Sequence, residues 1–325
     1  MSGLTSNSVA FKPFQYPWAM SCAEEHEKIH WGTWEVKLLN DVAQWKKGIV
    51  SEQEKAYITQ ILRIFTQSDC AVASNYCDLF IPYFKNNEIR NMLLSFANRE
   101  GTHQRAYALL NDTLGFADTE YTAFLSFKEM RSKLDFMTQP PMNLQNKEMQ
   151  MAYELARSVC NEGMSLFSAF VMLLNFQRFG KMRGMCEVVE WSLRDEDRHV
   201  AGMTQLFKTF CKEQPHLDMS SLKAFIKLNY QMAVLLEDSL IDLVYSTGSQ
   251  EGLTADEVKS YVRYLANARL EQLGLDPIYP QQKNPIVWLD WVVSGDSLKN
   301  FFEGTVTDYN ASGLVGTISW ESVHI

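Results

Sequence analysis

The chain is short of several things that would each point to a function. Its six cysteines (22, 70, 77, 160, 186, 211) include no C-x-x-C pair and no compact framework, a usage that fits reduced thiols in a cytoplasm. No basic segment followed by an apolar one opens the sequence, and no run approaches ~18 uninterrupted apolar residues, so neither a signal peptide nor a membrane span is expected. Lysine and arginine never cluster densely enough to track a phosphate backbone, and the formal net charge is -9, which argues against nucleic acid as a partner. Glycine and proline are scarce between about 51 and 273, and strand-like alternation is absent there.

What is present is a large apolar fraction, 46% of 325 residues, enough for a sizeable core. Apolar residues recur every three or four positions, which predicts a succession of helices at roughly 52–80, 86–111, 119–136, 146–178, 183–212, 219–246 and 254–273. S-E-Q-E at Ser51 and T-A-D-E at Thr254 are capping-box starts. Residues 1–50, with Trp18, Trp31, Trp34 and Trp45, are expected to wrap the bundle; 51–295 form the helical domain; 296–325 read as a tail ordered only on binding.

Two of the long helices carry Glu-x-x-His, at Glu100/His103 in REGTHQRAY and at Glu196/His199 in RDEDRH, which suggests an internal duplication. Helical phase decides which acids face inward. Glu100 shares its face with Leu93, Phe96, Ala97, His103 and Tyr107, and Glu196 with Val189, Leu193, His199, Val200 and Met203. On the other long helices Asp69 lies in an apolar stripe and Asp78 in a polar one, while Glu162 falls among Leu155, Val159, Leu166, Ala169 and Phe170, and Glu154 among polar neighbours. Asp69 and Glu162 are therefore expected inside, Asp78 and Glu154 outside. His26, His30, His216 and His324 have no such company and read as ordinary histidines.

Four ionised carboxylates in one core are tolerable only if something neutralises them. No matching set of lysine or arginine occupies those faces, whereas two divalent cations cancel four negative charges. Oxygen and imidazole donors suit iron or manganese. Asp69, Glu100, His103, Glu162, Glu196 and His199 then form the dimetal-carboxylate constellation of a ferritin-like all-α bundle. Tyr107, one turn beyond His103 on the same face, lies close to the metals, with Asp69 as the expected hydrogen-bond partner of its hydroxyl.

At this point the sequence resembles the radical-generating small (β) subunit of class I ribonucleotide reductase. Besides the six candidate ligands, the likeness rests on Trp31 with Val36, Leu38 and Asn40-Asp41, on NARLEQLGL (267–275), on NPIVWLDW (284–291) and on a tail containing Tyr309. The resemblance implies that oxidised metals take one electron from Tyr107, and that the oxidising equivalent leaves through His103, Asp195 and Trp31 to Tyr309 and on to the large catalytic subunit. It also implies tail docking on that subunit, a homodimer and a di-iron, di-manganese or mixed centre, and leaves room for a flavoprotein activator. Trp34 is the rival of Trp31; Asp195 competes with a reading as a surface acid. Dimetal oxygenases or desaturases and a ferritin-like metal store share the ligand set, but Asp69 at the first ligand position and Tyr107 with a Tyr309-bearing tail have no evident use in them.

Overall fold

A computed structural model of the chain describes residues 3–139, 144, 146–280 and 283–289. Among these the regular structure is helical, and the single β-bridge joins Gln250 and Leu253. The N-terminal segment contributes α1 (Pro17–Lys28) and α2 (Leu39–Lys46), two helices that the sequence reading treated only as a wrapping strap. Proline in the first turn of α1 costs no hydrogen bond, because an N–H there has no helical partner.

The main body begins with α3 (Glu52–Ser74), where the expected box forms: Ser51 Oγ accepts from Glu54 N at 3.2 Å and Glu54 Oε2 from Ser51 N at 2.8 Å. α3 runs into a π turn at Asn75–Phe80. α4 (Asn87–Leu114) starts on Asn86, whose side chain accepts from the N–H of Glu88 and Ile89, and stops at Gly115, where φ is 87° and a side chain would be strained. The predicted helix at 119–136 is broken at Phe127, an extended residue, leaving α5 (Lys128–Thr138).

The predicted helix at 146–178 is a composite of α6 (Lys147–Cys160), a π turn (Asn161–Ser165), α7 (Phe167–Leu174) and a 3-10 turn (Asn175–Phe179). By length and composition this stretch is the one candidate for crossing a membrane among the described residues, and the window that qualifies is wholly buried. It is the bundle's central element, hence apolar on nearly every side. α8 (Arg183–Glu213), α9 (Met219–Tyr245) and α10 (Ala255–Gln272) complete the body.

α3 pairs with α4, α6 with α8, and α9 packs against α5, α6 and α10. α1 lies along α4 and also meets α8, fastened where Glu88 Oε1 accepts from Gln15 N at 2.6 Å. Asp41 gives the Asn40-Asp41 pair a structural meaning: its carboxylate accepts from Gly184 N at 3.0 Å and Met185 N at 2.7 Å, satisfying unpaired donors at the start of α8. The strap is thus bolted to both Glu-x-x-His helices.

Central burial corrects one expectation. Glu154 points not to solvent but into protein, 1% exposed, where Arg157 Nε lies 2.7 Å from its Oε2. The phase argument located its neighbours on α6 correctly, but a helix surrounded on all sides has no solvent face to offer them. Asp78 is exposed.

Candidate metal centre

The six candidate ligands come from four elements. Asp69 is on α3, Glu100 and His103 are on α4, Glu196 and His199 are on α8, and Glu162 is in the π turn after α6. None is more than 1% exposed. One potential ligand atom each from Glu100, Glu162, Glu196 and His199 lies within 4.8 Å of the others, and the same holds for Asp69, Glu100 and His103. Glu100 belongs to both groups, as a bridging carboxylate would.

The histidines both turn Nδ1 inward. His199 Nδ1 lies 3.0 Å from Glu100 Oε1, 3.2 Å from Glu162 Oε2 and 3.3 Å from Glu196 Oε2; His103 Nδ1 lies 3.3 Å from Glu196 Oε1. Yet both oxygens of Glu100 and Glu196, Oδ2 of Asp69 and both Nδ1 atoms are buried with no hydrogen-bond partner. Orphaned lone pairs in a dry core are costly, unless a cation sits among them. The donor set, oxygens and imidazole nitrogens without sulfur, fits two divalent ions of the iron or manganese type. No lysine or arginine is paired with these acids among the described residues.

Protonation follows the same geometry. Burial, with repulsion from Glu100 and Glu196, pushes Asp69 far above the usual carboxylate range. Burial alone would lower His103 and His199, but the surrounding carboxylates raise both well above the ordinary imidazole value. The cluster without cations therefore holds protons where metal ions would otherwise bind.

Glu162 differs from the other acids. Its Oε2 accepts from Tyr76 Oη at 2.6 Å, and its Oε1 accepts from Ser158 Oγ one turn earlier on α6. The π turn creates this presentation, with Gly163 permitting the close approach of Arg269: a Cβ there would stand 2.7 Å from Arg269 Nε. That nitrogen donates to Gly163 O at 3.0 Å.

Outside the ligands, Asp195 is fully buried and collects three donors on its carboxylate. His103 Nε2 lies 3.0 Å from Oδ2, Trp31 Nε1 donates to Oδ2 at 2.7 Å, and Arg99 Nη1 lies 3.2 Å from each oxygen. Burial pushes the Asp195 carboxyl up, but His103 first, then Arg99 and His26, outweigh it and hold the group below its ordinary value. Trp31 is 2% exposed with its ring stacked 5.9 Å from His103, whereas Trp34 is 80% exposed. Tyr309 lies outside the described residues.

Tyr107 is fully buried, its ring 4.4 Å from that of Phe65. Its hydroxyl donates not to Asp69, as expected, but to Ser192 Oγ at 3.1 Å on α8. α8 passes on the hydroxyl's side of the ring, and Ser192 in turn donates to Val188 O at 3.0 Å. Burial and the neighbouring Asp69 raise the phenol far above its usual pKa, so it stays protonated at rest.

Sequence reasoning passed over His26, Arg99, Tyr76, Ser158 and Ser192. His26 did leave a signal, because with Ala19 and Ala23 it forms the buried stripe of α1. Tyr76 left one too, seven residues beyond Asp69 in the same apolar stripe. The two serines are visible only once the helices are placed.

A family model described as "Ribonucleotide reductase, small chain" matches residues 8–285. The "Probable ribonucleoside-diphosphate reductase small subunit 048L" of Invertebrate iridescent virus 3 is 36% identical, covering 98% of this chain and 88% of its own. Among solved structures, the ribonucleotide reductase R2 subunit from Clostridium botulinum superposes with a TM-score of 0.80 at 20% identity, covering 90% of this chain and 94% of that one. The dimanganese(II)-NrdF of Streptococcus sanguinis gives 0.72 at 18% identity, over 91% and 99%.

Proposed function

The chain belongs to the ribonucleotide reductase small-chain family, and from that premise we propose which of its residues do the work of a radical-generating subunit. The enzyme to which such a subunit contributes reduces ribonucleoside diphosphates to deoxyribonucleotides together with a large catalytic subunit. The observation that carries the reading is the set of seven orphaned buried donor atoms that converge from Asp69, Glu100, His103, Glu196 and His199, with Glu162 closing the ring.

Asp69, Glu100, His103, Glu162, Glu196 and His199 hold the two ions. When bound, the ions supply the oxidising power that comes from reaction with dioxygen or a reduced oxygen species. Manganese or iron serves: the donor set accepts both, and one structural neighbour is a dimanganese protein. Tyr107 then gives up one electron. Its buried ring, packed against Phe65, is kept from water and reductants, and its hydroxyl stays tethered to Ser192.

His103, Asp195 and Trp31 form an unbroken hydrogen-bonded line of 3.0 Å and 2.7 Å leading away from the site, suited to passing an electron and its proton together. Arg99 keeps Asp195 ionised and in place. We assign the onward step to Tyr309 and the docking of residues 296–325 on the large subunit to the apolar side chains there, in a cytoplasmic homodimer. A flavoprotein partner would serve a manganese-loaded form.

Reconstitution with Fe(II) and oxygen, or with Mn(II) and a flavoprotein-derived oxidant, tests the assignment. The wild-type protein is expected to show a tyrosyl radical by electron paramagnetic resonance and to support ribonucleotide reduction; Tyr107→Phe loses both. Turnover that survives the substitution contradicts the role given to Tyr107.

A further inference from the structure

The two histidine ligands of the proposed centre differ in what holds their outer nitrogens. His103 turns Nε2 to the carboxylate of Asp195 at 3.0 Å, the arrangement that usually orients a metal-bound imidazole. His199 has no carboxylate there. Its Nε2 faces Nε2 of His26 at 3.3 Å, with the ring centroids 4.9 Å apart at 64°. His26 is fully buried on α1, and its other nitrogen, Nδ1, lies 2.7 Å from Ser95 Oγ on α4. Phe96 packs edge-on at 5.2 Å, and Asp195 Oδ1 is 3.8 Å from His26 Nε2.

The proton count along this line has one solution. With Nδ1 of His199 turned to the carboxylates and given to an ion, a neutral imidazole carries its hydrogen on Nε2 and donates it outward. Nε2 of His26 must then be the bare acceptor, so His26 carries its hydrogen on Nδ1 and donates it to Ser95. Burial, with the charge of His199 beside it, pushes His26 down to about 2 and so keeps it neutral.

We propose that His26 is a positioning residue for the dimetal site, fixing the tautomer and ring angle of His199 from the N-terminal strap. It touches no reacting atom. It makes the ion on the Glu162/His199 side depend on the docking of α1, while the ion on the Asp69/His103 side depends on Asp195. The inference rests on the dimetal reading of the six ligands.

Titration of the metal-free full-length chain with Mn(II), reading free Mn(II) by electron paramagnetic resonance, separates the two. Wild type is expected to take up two ions. In His26→Ala one ion binds as before and the other is weakened by about 10- to 100-fold, the usual cost of losing such a support. His26→Gln, whose amide can accept from His199 and donate to Ser95, recovers most of that affinity; His26→Leu, which fills space only, does not. Circular dichroism checks that each variant is folded, and if His26→Ala is not, the Gln and Leu pair carries the comparison.

Both ions binding normally in His26→Leu overturns the proposal. So does equal weakening in Gln and Leu, which would mark His26 as packing alone. A wild-type protein that takes up fewer than two ions would instead overturn the dimetal reading, whatever the variants do.

Discussion

The two Glu-x-x-His helices are near-copies in sequence, yet their surroundings are built for different ends. On α4, His103 is backed by a charged line, Asp195 with Arg99 and Trp31, which runs from the site into an indole. On α8, His199 is backed by a neutral one, His26 and Ser95, with Phe96 and Tyr76 closing around it. The phenols divide similarly: Tyr107 is tethered to Ser192 and free of the ligands, whereas Tyr76 is bonded directly to Glu162. A duplicated motif therefore yields one side equipped to conduct and one equipped to hold. The repeated ligands do not set this difference; their unrepeated neighbours do.

The sharpest way to break the comparison is on the conducting side. Asp195→Asn keeps the shape but removes the charge, and is expected to leave two ions bound and the Tyr107 radical formed, while ribonucleotide reduction falls by about 10²- to 10⁴-fold, the range for losing a positioned proton-transfer group. Unchanged turnover would remove Asp195 from the line.

Next in size is the buried pair on the central helix, which lies apart from both sides. Glu154→Ala strands Arg157 in a dry environment and should cost about 3–5 kcal/mol in a urea titration of metal-free protein, with no change in ion stoichiometry. A loss of an ion instead would show that Glu154 belongs to the centre.

A smaller effect distinguishes the phenols. Ser192→Ala removes the acceptor of the Tyr107 hydroxyl at a cost of about 1 kcal/mol, and should alter the shape of the radical's resonance spectrum without abolishing it. An unaltered spectrum would mean that the bond is not kept in the radical.

The smallest concerns the strap. Burial pushes the Glu88 carboxyl up, but the backbone N–H groups of Gln15 and Tyr16, among others, pull it below its ordinary value. Its contribution is therefore full above the unfolded pKa of about 4.3 and is lost as pH falls through the lower folded value. Glu88→Gln should be less stable by about 1 kcal/mol at neutral pH, with the gap to wild type closing in acid. A gap that persists or widens as the pH falls would assign the stability to something other than the ionised carboxylate.

Much of this was readable from residues alone. The capping boxes at Ser51 and Thr254 form as written, and the inward phase of Asp69, Glu100, Glu162 and Glu196 follows from 3.6-residue periodicity because each sits in a clean apolar stripe. The method failed where a helix is not bounded by water. Glu154 looked solvated because its stripe is polar, but on a helix enclosed by others polar residues find one another instead. It failed again where a contact spans elements distant in sequence, as for Ser192 with Tyr107 or His26 with His199, since period carries no information about which helix lies opposite. The π turn that aims Glu162 is likewise invisible, because one extra residue per turn leaves the surrounding pattern intact.

The central claim is that six buried side chains close around a pair of divalent ions. Anomalous diffraction from crystals of the full chain grown with Mn(II) tests it most directly. Two peaks are expected, one among Asp69, Glu100 and His103 and one among Glu100, Glu162, Glu196 and His199; a single peak, or none within reach of these residues, would contradict it.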